Sequence, residues 1–262
     1  MANETQHVRL HGLSHVFADG REPLRVLDDV SIGVPRGQFT SIIGPSGCGK
    51  STLLRIVGGL LEPSAGEVSI DGARPRAAQR RHDIGIVFQE PALLPWRTVA
   101  ANVRLPLEID GARRRGADVE TLLDLVGLGE FRDYYPHQLS GGMRQRVAIA
   151  RALAVDPALL LMDEPFGALD EITRTAMRYE LLRIWASQVE AATRKTVLFV
   201  THSITEAIVM SDRIVVINGR PGRIVADVAV ELPRPRTQEI ERSAPFLDYA
   251  DHLRGLLVGA TA

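Results

Sequence analysis

Eight consecutive residues, Gly44-Pro45-Ser46-Gly47-Cys48-Gly49-Lys50-Ser51, fit the pattern GxxxxGK[ST] between a short apolar run and a helical one. Residue types in that order suit the binding of phosphate groups. Glycines let the backbone curl so that successive N–H groups face phosphate oxygens. The N-terminus of the following helix adds partial positive charge, and Lys50 reaches the β and γ phosphates of a nucleotide. Ser51 offers its hydroxyl to Mg²⁺. A glycine-rich turn that binds nothing is the competing reading, and the strand and helix on either side disfavour it. Of 31 basic residues only Lys50 and Lys195 are lysines. A lysine kept where arginine is the usual cation asks for a chemical reason, and the phosphate loop supplies one for Lys50. Cys48, the one cysteine, reads as a small filler of the loop rather than a reactive thiol.

Leu159-Leu160-Leu161-Met162-Asp163-Glu164 is an apolar run ending in two acids. Two carboxylates at the end of a buried strand need a cation or a hydrogen-bonding task. Asp163 suits the Mg²⁺ that bridges terminal phosphates, and Glu164 stands to orient or deprotonate water. Gln89 follows the run Ile84–Phe88 and opens a helical stretch, where it can touch the nucleotide site. His202 precedes Ser203-Ile204-Thr205-Glu206, which has the spacing of a capping box. Leu139-Ser140-Gly141-Gly142-Met143-Arg144-Gln145 puts a hydroxyl and two glycines at a helix start. That is an anion-binding arrangement in itself, and equally an ordinary cap.

The elements that must position these groups alternate in type. Phe39–Ile43, Ile84–Phe88, Leu159–Met162 and Thr196–Val200 read as buried central strands, and helical runs follow them. The pattern is that of an α/β protein with a mainly parallel sheet. Val8–Phe17 and the stretches around 66–71 and 213–225 read as antiparallel strands, with a turn at Asn218-Gly219. From about Ala92 to Val155 helical periodicity takes over, with Met143, Val147 and Ala150 on one stripe, as in a helical lobe inserted between two strands. The last thirty residues, rich in proline, read as a loose tail ending in a short helix. With 262 residues, 45% hydrophobic and a net charge of -1, the chain has the balance of a soluble globular protein. No basic field argues for nucleic acid, no apolar window has the length to span a membrane, and the polar start is not expected to serve as a signal peptide. Arg113-Arg114-Arg115 and the arginines at 74, 76, 80 and 81 read as solvated loops.

Phosphate loop, Gln89, LSGGMRQ, LLLMDEP, FGALD and Thr201-His202 follow one another in an order that resembles the nucleotide-binding subunit of ATP-binding cassette (ABC) transporters, across residues 8–225. The resemblance implies a P-loop NTPase (RecA-like) α/β core with an antiparallel β subdomain and an inserted helical subdomain. The chain is then a single domain over 1–262: residues 1–91 and 156–230 form the nucleotide-binding core, 92–155 the helical subdomain and 231–262 a short C-terminal tail. ATP and Mg²⁺ are the implied cofactors. Glu164, His202, Gln89 and Lys50 are the implied catalytic residues, and Ser51, Gln89 and Asp163 the metal ligands. Nucleotide contacts are implied for Phe17 on the adenine, for Gly44 through Ser51 and Thr52, and for Ser140, Gly141 and Gly142. Many relatives carry tyrosine where Phe17 stands. Two copies would face head to tail, each ATP lying between the loop of one and Ser140–Gly142 of the other, with Asp170 at the seam. The implied partners are this second copy, permease subunits and, indirectly, a periplasmic or lipid-anchored solute-binding protein, at the cytoplasmic face of the inner membrane.

A closer resemblance, to the nitrate/sulfonate/taurine importers of bacteria, rests on Leu94-Pro95-Trp96-Arg97-Thr98-Val99, Thr173-Arg174, Lys195 to Ser203, Arg220-Pro221-Gly222-Arg223-Ile224 and Leu232-Pro233-Arg234-Pro235-Arg236. Glu171 departs from the usual alanine. The expected function is ATP hydrolysis coupled to uptake of a small anionic solute, with a pyrimidine or thiamine precursor as the alternative cargo. A soluble ABC ATPase of DNA repair or translation would need two cassettes, a long coiled coil or a basic surface. An ATP-binding regulator without turnover fits poorly with the complete set Lys50, Asp163, Glu164 and His202.

Overall fold

Strands buried along their whole length occur only inside a sheet covered on both faces, and Phe39–Ile43, Leu159–Asp163 and Thr196–Thr201 are buried at every residue. The computed structural model describes residues 6–18, 22–108, 118–167, 169–186 and 194–258. In chain order the first elements are β1 (Gln6–Phe17), β2 (Leu24–Pro35), β3 (Phe39–Ile43), α1 (Lys50–Val57), β4 (Ala65–Ile70), α2 (Pro75–Arg80) and β5 (Ile84–Val87). Three helices follow, α3 (Val99–Glu108), α4 (Val119–Leu125) and α5 (Gly141–Leu153). The remainder is β6 (Leu159–Asp163), α6 (Glu171–Ala186), β7 (Thr196–Thr201), α7 (Ile204–Met210), β8 (Arg213–Asn218), β9 (Arg223–Ala229) and α8 (Ala244–Val258). A six-stranded sheet runs β5-β6-β7-β3-β8-β9, parallel except for β9, and a three-stranded antiparallel sheet runs β2-β1-β4.

Period-2 alternation splits the core into two layers. Phe39, Ile43, Leu160, Met162, Val197 and Phe199 face a helical layer drawn from α3 to α8. Ile42, Leu159, Leu161, Leu198 and Val200 face α1 and the small sheet. Phe39 meets Trp185 edge-on at 5.6 Å and Phe199 at 5.8 Å, contacts worth about 0.5–1.5 kcal/mol each beyond burial. Residues of α3 and α4, such as Val103 and Leu123, belong to the same cluster as Phe39, so these helices share the core of the large sheet. No helix among the described residues is long and apolar enough to cross a membrane.

Three expectations need correction. β5 is an edge strand, not a central one: it pairs only with β6, and Ile84 and Ile86 are half-buried. A short apolar run does not distinguish edge from centre when helices cover it. The segment Leu24–Pro35 forms a full strand that the sequence reading passed over, because Asp28-Asp29 interrupts its apolar alternation like a turn. Asp29 does take a left-handed φ of 51°, and the β1–β2 register shifts nearby, yet the strand continues. The C-terminal segment is not loose. Val230, Leu232, Phe246, Ala250 and Leu253 are buried in the helical layer, and α8 is 15 residues long.

One arginine explains much of that anchoring. Arg236 is buried, and its Nη1 donates to the carbonyls of Ile208, Val209 and Ser211 at 2.8, 3.1 and 2.6 Å. These are carbonyls of the last turn and exit of α7, which a helix end leaves without partners. Nη2 donates to Val230 and Leu232 carbonyls, both at 3.2 Å. Burial pushes the Arg236 pKa down to about 10. Arg236→Met is expected to lower unfolding stability by about 3 kcal/mol in urea titration, since five carbonyls lose their donor; a loss under about 1 kcal/mol would contradict this anchoring role. The arginine triplet at 113–115 and Ala168 lie outside the described residues.

Candidate active site

β3 delivers the chain into the phosphate loop at the C-terminal edge of the parallel strands, where open α/β sheets place their ligands. Gly47 and Gly49 have φ of 81° and 95°, a left-handed conformation that glycine adopts without steric cost. Lys50 is 5% exposed, and its Nζ donates to the carbonyls of Gly44 and Pro45, both at 2.9 Å. An ammonium has three donors, so one N–H is left for a phosphate oxygen. Thr52 is half-buried on the first turn of α1. Cys48 is buried with Sγ 3.7 Å from the Ile217 carbonyl oxygen, and burial pushes its thiol pKa up. It is a packed filler of the loop.

β6 brings Asp163 beside α1. The carboxylate is nearly buried and accepts from Ser51 Oγ at 2.9 Å. Burial pushes the Asp163 carboxyl up, while the Ser51 hydroxyl and the charges of Arg55 and Lys50 pull it back. A buried carboxylate with a raised pKa gains by meeting a cation. Hydroxyl and carboxylate oxygens together fit a hard divalent cation that keeps water and phosphate among its ligands, as Mg²⁺ does. Among the described residues no group of three His, Cys, Asp or Glu could hold a metal by itself.

Glu164 has φ 43°, the left-handed region, where a residue other than glycine stores about 1–3 kcal/mol of strain. Its N–H donates to the Val200 carbonyl at 2.9 Å, and its carbonyl accepts from Gly167 N–H at 3.0 Å, so both neighbours hold the turn. The side chain points to His202: Glu164 Oε2 and His202 Nδ1 are 3.1 Å apart, and the imidazole is 58% exposed. β7 and α7 place that imidazole. Ser203 Oγ accepts from Glu206 N–H at 3.3 Å, which is half of the expected capping box. The other half is replaced. The Glu206 carboxylate turns to Thr201 Oγ1 at 2.5 Å, and that oxygen accepts from Ser203 N–H at 3.0 Å. Glu206 is buried with Arg174 4.0 Å away; burial pushes its carboxyl up, while the Thr201 hydroxyl and the charges of Arg178 and Arg174 pull it back.

Gln89 is exposed just beyond β5, with its amide nitrogen 3.9 Å from where a Cβ on Gly167 would stand, and so faces the Glu164–Gly167 turn. Ser140 caps α5, accepting from Met143 N–H at 3.2 Å, and Gly142 packs against Thr173 and Leu169. Among the described residues no hydrogen bond joins Ser140, Gly141 or Gly142 to the phosphate loop of the same chain. Asp170 accepts from Thr173 N–H at 3.0 Å, and that bond holds its carboxyl below the usual range. Phe17 ends β1, 38% exposed, its ring edge-on to His15 at 4.6 Å.

Several positioning residues escaped the sequence reading. Gln145, inside LSGGMRQ, donates to the Phe88 carbonyl at 3.3 Å and so ties α5 to the residue before Gln89. Asn102 is fully buried; its amide bonds Leu94, Arg97 and Thr98 and shapes the loop that carries Trp96. Arg151 donates to the carbonyls of Pro91 and Ala92 at 2.6 and 2.8 Å. Only the position of Gln145 in the motif hinted at any of these.

Sheet order, phosphate loop and acid pair together define a P-loop NTPase. Residues 27–167 match the family described as ABC transporter. The aliphatic sulfonates import ATP-binding protein SsuB 1 of Xanthomonas axonopodis pv. citri is 48% identical over 223 residues, 84% of this chain and 86% of that protein. The nitrate import ATP-binding protein NrtD of Synechocystis sp. is 39% identical over 261 residues, 97% of this chain and 96% of that one. The dimeric post-hydrolysis structure of the ATP-binding cassette MJ0796, bound to ADP and Pi, is similar with a TM-score of 0.73 and 35% identity, covering 86% of this chain and 100% of that chain. The chain belongs to the ATP-binding subunits of the ABC transporter family. It is an ATPase.

Proposed function

We propose that this ATPase drives uptake of a small anionic solute of the sulfonate, taurine or nitrate type, working as two copies on permease subunits at the cytoplasmic face of the inner membrane. The observation that carries the reading is similarity to nitrate and sulfonate import subunits over nearly the whole chain. In this reading a periplasmic or lipid-anchored binding protein selects the solute. Residues 92–155 form the lobe that meets the permease, through the loop around Trp96, a residue that is 71% exposed.

In the mechanism, the backbone N–H groups of the loop Gly44 to Ser51, Pro45 excepted, and the free donor of Lys50 hold the phosphates, Thr52 lies beside them, and Phe17 stacks on the adenine. Ser51 and Asp163, with Gln89, would hold Mg²⁺, which would supply positive charge to offset that of the phosphates. Glu164 accepts a proton from the water whose oxygen forms the new bond to the γ-phosphorus as the bridging P–O bond breaks. His202 keeps the Glu164 carboxylate in place through Nδ1 and leaves Nε2 for a γ-phosphate oxygen. Ser140, Gly141 and Gly142 of the second copy close over the same phosphates from their helix N-terminus, with Asp170 at the seam. Nucleotide state and permease orientation are then linked by a coupling free energy.

A deletion strain tests the cargo. Loss of growth with an alkanesulfonate or taurine as sole sulfur source, with growth on sulfate intact and rescue by the wild-type gene, is the expected result. Normal growth on sulfonates would move the assignment to nitrate or heterocyclic precursors.

A further inference from the structure

We propose that Arg220 is a positioning residue of the nucleotide site, holding the Ser46 carbonyl from outside the phosphate loop and thereby fixing the inward aim of the loop amides. Arg220 Nη2 donates to the Ser46 carbonyl at 3.2 Å, and the same nitrogen would stand 3.0 Å from a Cβ on Gly47. The guanidinium, exposed on its other side, therefore packs against the tip of the loop. Two residues on, Gly222 meets the loop as well, because any Cβ at 222 would drive into the Cys48 carbonyl. Cys48 in turn packs its thiol on the Ile217 carbonyl. The turn between β8 and β9 thus touches Ser46, Gly47 and Cys48, three consecutive residues of the phosphate loop.

The turn is itself held firmly. Gly222 N–H donates to the Val26 carbonyl at 2.9 Å, and Asp28 N–H donates to the Gly222 carbonyl at 3.1 Å. Arg223 pairs with Asp28 at 2.8 Å, and Arg25 donates to the same carboxylate at 2.9 Å. Arg220 is therefore presented from a braced backbone and not from a free loop tip.

The physical need follows from the geometry of a phosphate nest. When successive N–H groups point to one side, the carbonyls of the same peptide units point to the other, and each wants a donor. Lys50 serves Gly44 and Pro45. The third N–H of that ammonium is the one left for phosphate. Ser46 is served by a different cation, so its peptide is held independently of Lys50. The added positive charge favours an anion in the loop without touching it.

Titration of the full chain tests the assignment. With Arg220→Gln, the dissociation constant for ADP and the KM for ATP are expected to rise together by about tenfold, with kcat within about twofold, as for uniform binding lost. The melting temperature without nucleotide is expected to stay within about 2 °C, and Arg220→Lys to recover most of the affinity because a donor and a charge return. Unchanged ADP affinity in Arg220→Gln would overturn the proposal. Weakened ATP with ADP spared would also overturn it, since the group would then touch the terminal phosphate directly. A melting temperature that falls in step with affinity in both variants would make Arg220 a fold residue only.

Discussion

Glu164→Gln is expected to bind ATP within about threefold of wild type and to release phosphate at least about a hundredfold more slowly. The amide has the size of the carboxylate and can still meet His202 Nδ1, which stands 3.1 Å from Oε2 in the native chain. It cannot accept a proton from water. The backbone strain at φ 43° is carried by the turn between Val200 and Gly167, so exchanging the side chain leaves the fold in place. Phosphate release and nucleotide titration on the same preparation separate the two effects. Turnover within about tenfold of wild type would remove Glu164 from the role of base.

Lys50→Ala fails one step earlier. Removing the ammonium takes away a nearly buried charge-assisted donor, and ADP and ATP affinity are both expected to fall by about 10² to 10³. Two carbonyls, Gly44 and Pro45, also lose their donor, so the loop is less well ordered before any ligand arrives. Calorimetric titration with ADP reads this loss without relying on turnover. Affinity within about threefold of wild type would contradict the phosphate role of Lys50. The two variants have opposite signatures, one losing turnover with binding kept and the other losing binding itself.

How far the sequence discloses the site depends on how local each part is. Gly44 to Ser51 and the pair Asp163-Glu164 are legible because the chemistry is contiguous and flanked by strands whose apolar runs are unambiguous. The Ser51–Asp163 contact is inferable from the task the two share, although 112 positions separate them. Arg220 meeting Ser46 across 174 positions has no such signal, since arginine is the common cation of this chain and a turn can point anywhere. Arg236 is opaque for the same reason: proline-rich surroundings suggest a loose tail, while one buried guanidinium ties the segment to the end of α7. Aspartates at 28 and 29 hid β2, yet one of them is the anchor for Arg223. Polar residues that break a pattern were the ones the tertiary structure had put to use.

A site completed by a second copy is tested most directly by sedimentation of the Glu164→Gln chain with saturating ATP and with saturating ADP. The expected result is a dimer with ATP, a monomer with ADP, and loss of the ATP-dependent dimer when Ser140 is also changed to Arg. A monomer in the presence of bound ATP, or a dimer indifferent to both the nucleotide and Ser140, would contradict the shared site.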